Sequence, residues 1–189
     1  MVVGLDYLYE YVPKNCVGDH EILEKFKIIR ENIWYFKDGK TEGQEYFIHD
    51  VISTIEKIKL SNKDKRVVIV PIPASNDFKT YTRFYNFLKK VCEKTGIVNG
   101  YEAIKSEAHE AAHLGGPRTH NFTRNTSFGI LENDIIIIFD DVWTSGASFK
   151  KASDLFIFDE VYGLFLGKTI DRVNSSNYID LEKIIGKFL

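Results

Sequence analysis

The densest apolar run in the chain is Ile135-Ile136-Ile137-Ile138-Phe139, and it stops abruptly at Asp140 and Asp141. Five apolar residues in succession, four of them β-branched, suit a strand buried on both faces. Small residues follow, Thr144-Ser145-Gly146-Ala147-Ser148, and a helical pattern resumes from Phe149 to Phe158. A second β-branched run, Val67 to Val70, meets Pro71-Ile72-Pro73, and a proline's missing N–H predicts that a central strand ends there. Ile97 to Ile104 and Val161 to Lys168 read as further strands. Helical spacing separates them. Asp19 caps a pattern through Ile22, Leu23, Phe26, Ile29 and Ile33; Thr41 with Gln44 forms a capping box before Ile48, Val51, Ile52, Ile55 and Ile58; and Phe84, Phe87, Leu88 and Val91 close at Gly96. This alternation predicts an α/β domain whose parallel sheet is flanked by helices. The Tyr-rich residues 1–18 fit neither period cleanly, and Ile179 to Phe188 has the spacing of a helical tail.

The chemistry concentrates where the Ile run ends. Carboxylates emerging from a strand can accept hydrogen bonds from sugar hydroxyls or hold a hydrated Mg²⁺. A turn of small residues at the start of a helix lets backbone N–H groups converge on a phosphate. Together they are a layout for a phosphorylated sugar. The other unusual stretch is Lys105 to Phe128, long, polar and rich in His and Arg. A segment of that kind inside a compact domain is commonly functional or disordered. Its His109 and His113 have the spacing of a helical ligand pair, but no third ligand accompanies them and no zinc site is expected.

IIIIFDDVWTSGAS resembles, without a gap, the phosphoribosyl pyrophosphate (PRPP) signature of type I phosphoribosyltransferases: an apolar strand, two acidic residues, two variable positions, then Thr-Thr/Ser-Gly-x-Thr/Ser. From Ile33 to Lys168 the order of elements resembles the ComF-like branch of that family, with FKDGK, TRFYNF and RNTSF as looser counterparts of its other segments. The resemblance implies that Thr144, Ser145, Gly146, Ala147 and Ser148 hold the 5′-phosphate of PRPP. It implies that Asp140 and Asp141 engage the ribose hydroxyls, directly or through Mg²⁺-bound water, with no direct protein ligation of the metal. Pro73, Ala74 and Ser75, after the second strand, would contact the pyrophosphate. Lys105, Arg118 and His120 would lie on the catalytic loop, where cations neutralise the departing pyrophosphate and closure excludes water. The general acid or base is either Asp141 or a loop residue. Residues 1–60 would form a helical, hood-like segment, 61–170 the PRPP-binding core, and 171–189 a tail. The implied function is Mg-dependent transfer of the phosphoribosyl group to a nitrogenous base or amine with release of pyrophosphate. The alternative is a non-catalytic PRPP- or nucleotide-binding protein with a regulatory or DNA-uptake-related role, as associated with ComF-like proteins. A homodimer stays open.

Composition narrows this further. The 189 residues suffice for one full core without staples. A net charge of −2 supplies no global basic field for nucleic acid. Cys16 and Cys92 are too few for a disulfide framework or for the N-terminal zinc segment often seen in ComF-like proteins. Asp6 and Glu10 interrupt the apolar residues after Met1, and no apolar run is long enough to span a bilayer, so a cytoplasmic, reduced protein with no membrane contact is expected. A phosphoacceptor domain would need another carboxylate at the end of a neighbouring strand, and VVIVPIPAS has none.

Overall fold

A computed structural model of the chain describes residues 1–14, 24–107 and 121–170. Its elements run β1 (Val2–Tyr11), α1 (Glu24–Lys37), α2 (Thr41–Ser61), β2 (Val67–Pro71), α3 (Asp77–Thr80), a π-helical turn (Tyr81–Tyr85), α4 (Asn86–Thr95), β3 (Val98–Asn99), β4 (Ile104–Glu107), β5 (Asn121–Arg124), β6 (Ile135–Trp143), α5 (Ala147–Ser153) and β7 (Glu160–Thr169). Five strands form one parallel sheet in the order β1-β7-β6-β2-β3, and β4 and β5 pair separately as an antiparallel ribbon. The expected α/β class with a parallel, helix-flanked sheet is what the chain adopts.

The Ile run explains itself once the layers are seen. Ile135, Ile137 and Phe139 pack with Val67 and Ile69 against α1, α2 and α4. Ile136 and Ile138 turn to the other face and pack with Val68 and Val70 against Phe149, Ala152 and Phe156 around α5, and against Ala103 and Ile104 of the ribbon. Both faces of β6 and β2 are covered, so neither strand needs a polar alternate.

Several boundaries differ from the sequence reading. β2 carries Pro71 as a paired residue, opposite Phe139. Ile72 N–H donates to Phe139 O at 2.9 Å, so alternate donors face β6 and the missing donor of Pro71 faces β3, whose pairing has already ended at Asn99. Ile97–Ile104 is not one strand: Gly100 N–H bonds Ile69 O at 2.8 Å, ending β3, and Ile104 opens the ribbon instead. Thr41 is not the cap of α2. Lys40 takes that position without a side-chain bond, because α1 closes in a Schellman motif in which Gly39 N–H bonds Phe36 O and Lys40 N–H bonds Tyr35 O. Among the described strands, β1 is an edge strand of the main sheet, parallel to β7, with α1 against it. Asp19 and the expected helical tail lie outside the described residues. No helix among the described residues is long and apolar enough to cross a membrane.

Candidate functional site

The pleat of β6 sends its two carboxylates to opposite faces of the sheet. Asp140 lines a shallow cleft, partly open to solvent, with Ile72, Val142, Trp143, Thr144, Gly146, Ala147, Ser148, Phe149 and Phe165. The small-residue turn therefore forms one wall of the cleft and Asp140 another. Gly146 makes the turn feasible. Its φ is +77°, a left-handed conformation that disfavours other residues, and a Cβ there would sit 2.5 Å from the Trp143 ring. Trp143 both lines the cleft and packs beneath it, with ring centroids 5.5 Å from Phe149 and 5.1 Å from Phe165. Thr144, Ser145, Ala147 and Ser148 are exposed. Ser145 Oγ accepts a long, 3.4 Å bond from Ala147 N–H.

Asp141 faces the other way and is only 6% exposed at its side chain. One of its oxygens pairs with Arg83 Nη1 and the other with Lys37 Nζ at 3.4 Å. Asp140 Oδ1 accepts the Asp141 backbone N–H at 2.8 Å. Crowding by protein atoms, and next the negative charge of Asp141, raise the Asp140 carboxyl well above its ordinary range; the Asp141 N–H, Arg83 and Lys37 pull it only partly back.

The two cations are brought together by what lies next to them in sequence. Phe36, Phe84 and Phe139 are all fully buried, one residue before Lys37, one after Arg83 and two before Asp141. With Phe87 they form an aromatic cluster: Phe36 lies 4.9 Å from Phe87, 6.1 Å from Phe84 and 6.2 Å from Phe139, edge-on in each case, and Phe87 stacks on Phe139 at 5.5 Å. The turn after Lys37 rests directly on the π-helical turn that carries Arg83. Gly39, at φ +70°, approaches the Thr82 carbonyl so closely that a Cβ would overlap it.

The loop after β2 is more internally bonded than the sequence suggested. Ala74 N–H donates to Thr80 Oγ1 at 2.9 Å, Pro73 has no N–H, and Asn76 caps α3 by accepting Lys79 N–H. Ser75 is exposed, and Ile72 of this loop reaches the cleft. Lys105 is an exposed ribbon residue, paired opposite Thr123. Arg118, His120, His109 and His113 lie outside the described residues. Among those described, no group of three or more His, Cys, Asp or Glu converges as a metal site. Sequence reasoning did not foresee that Lys37 and Arg83 meet at Asp141. Only the FKDGK and TRFYNF resemblances pointed to those segments, and neither named the partner.

A scan against protein-family models gives no match for this chain, and no curated protein matches it. The functional reading therefore rests on residues and geometry.

Proposed function

We propose that the chain is a type I phosphoribosyltransferase-like protein of the ComF-like branch that binds PRPP and transfers its phosphoribosyl group to a nitrogenous base or amine, releasing pyrophosphate. The observation that carries this reading is the shared cleft at the end of β6, where Asp140 and the Thr144–Ser148 turn face one another. Exposed hydroxyls and backbone N–H groups of the turn receive the 5′-phosphate. Asp140, an acceptor lining the same cleft, takes the ribose hydroxyls. Breaking the C1–pyrophosphate bond leaves positive charge on the ribose, which a nearby carboxylate stabilises without covalent chemistry. The donor set suits Mg²⁺ held at one remove: a half-buried carboxylate beside open solvent can touch a hydrated ion through water, and the metal would offset charge on the departing pyrophosphate.

A second reading, ligand binding without turnover, is favoured by one observation. Both oxygens of Asp141 are engaged by Arg83 and Lys37, so Asp141 is not free to act as a base. Calorimetry with PRPP and Mg²⁺, on wild type and Asp140→Asn, tests the site, and a pyrophosphate-release screen over bases and amines separates the two readings. Saturable binding by wild type, weaker but still measurable in Asp140→Asn, is the expected result, with release for one acceptor. Binding without release for any acceptor selects the second reading, and no binding by wild type refutes both.

A further inference from the structure

The geometry points to Arg83 and Lys37 as positioning residues that act on the ligand only through the Asp140–Asp141 pair; this rests on the reading above. Three observations lead there. First, the two cations meet Asp141 on the sheet face opposite the cleft, whereas the turn and Asp140 share the cleft face. Anchoring Asp141 on one face fixes the pleat, and the pleat aims Asp140 at the other. The bond from Asp141 N–H to Asp140 Oδ1 ties the carboxylate to the same peptide. Second, Arg83 sits on a π-helical turn between α3 and α4. Such turns insert an extra residue and re-aim the side chains they carry. Third, the framework around the three charges is rigid. Fully buried aromatic neighbours hold each charge-bearing segment, and the close approach of Gly39 to Thr82 locks the Lys37 turn onto the Arg83 turn. A side chain placed only for surface charge needs none of this. The Arg83 guanidinium is deeply set, with a side-chain exposure of 17% and its Nε buried and unpaired among the described residues.

The role differs from direct contact with a phosphate, and the difference is measurable. If Arg83 touched the ligand, its loss would weaken binding by the same factor whether or not Asp140 were present. Acting through Asp140, its loss has nothing left to disturb once Asp140 is gone. PRPP affinity with Mg²⁺ is measured by calorimetry for wild type, Arg83→Met, Arg83→Lys, Lys37→Met, Asp140→Asn and the double variant Arg83→Met/Asp140→Asn. Thermal melts of each check the fold.

Arg83→Met is expected to weaken PRPP about 10–100-fold, the usual range for groups that orient a primary ligand. Arg83→Lys should recover most of that loss, Lys37→Met should show a smaller one, and Arg83→Met should add less than about threefold in the Asp140→Asn background. Equal factors in both backgrounds, or wild-type affinity in Arg83→Met, would overturn the inference. If Arg83→Met loses its cooperative melt, Lys37→Met is read against the same Asp140→Asn background by the same rule. A wild type that binds no PRPP instead refutes the parent reading and this inference with it, a result distinct from either pattern above.

Discussion

Replacing Phe36 with Ala tests the aromatic cluster beneath the carboxylates. The ring is fully buried and meets Phe47, Phe84, Phe87 and Phe139 edge-on at 6.3, 6.1, 4.9 and 6.2 Å. Truncating a buried Phe to Ala costs about 3–5 kcal/mol, combining lost transfer energy with the cavity left behind. The upper part of that range applies here. The cavity walls are themselves rigid rings on three helices and a central strand, so they cannot collapse inward by rotamer change alone. For a domain of this size each kcal/mol moves the melting midpoint by about 2–4 °C, giving a fall of about 6–20 °C. Phe158→Ala is the control: that side chain is 88% exposed, and its removal should stay within about 0.5 kcal/mol of wild type. Differential scanning calorimetry of the three proteins at one pH and salt decides the matter. A Phe36→Ala midpoint within about 3 °C of wild type would mean that the cluster does not bear on the fold as described, and the account of how Lys37 and Arg83 are held would go with it.

Asp140→Asn should make the ligand-free protein more heat-stable near neutral pH while impairing ligand binding. Burial first, and the Asp141 charge second, raise the Asp140 carboxyl in the folded chain above its unfolded value. The folded state then binds the proton more tightly, so this group stabilises fully below the unfolded carboxyl range, about pH 3.9, and that stability is lost as pH rises through the raised folded value. The melting advantage of Asn over Asp should therefore grow from near zero at low pH to its full size above that window, and pH curves that run parallel would contradict it. Cys92 should be inert in the native state, since burial, aided by Glu93, pushes its thiol up to about 12. Site-resolved mass spectrometry after brief alkylation at pH 8 should find Cys92 unmodified until denaturant is added, and rapid native labelling would contradict the burial.

What could be read from the sequence was whatever a single segment determines. The Ile135–Phe139 run announces a two-faced burial by itself, and Gly146 marks a turn whose backbone few other residues tolerate. β1 was not legible because an edge strand feels two environments. Val3, Leu5 and Tyr7 are exposed while Leu8 and Tyr9 pack against the core, and a register shift between Val2 and Gly4 breaks the period. The clamp on Asp141 was not legible for a different reason. Lys37 and Arg83 come from separate helical segments, and nothing local marks an Arg on an amphipathic helix as inward-facing. The signal lies in the Phe residues beside each charge, which share one cluster only after the sheet has formed. The π-helical turn is likewise invisible to a period of 3.6, which fits Phe84, Phe87, Leu88 and Val91 without it.

The parallel pairing of β1 with β7 has a consequence for how the molecule is made. Val2 is matched with Val161 and Tyr11 with Thr169, so β1 is synthesised about 150 residues before β7, its only sheet neighbour among the described strands. At a synthesis rate of roughly 5–20 residues per second, β1 waits on the order of 10–30 s for its partner. Throughout that interval a ten-residue segment with exposed Val3, Leu5 and Tyr7 has neither edge satisfied, the condition in which strands find the wrong partner. The nascent chain thus carries an unpaired strand until β7 emerges, and its dependence on holding chaperones is greatest in that interval.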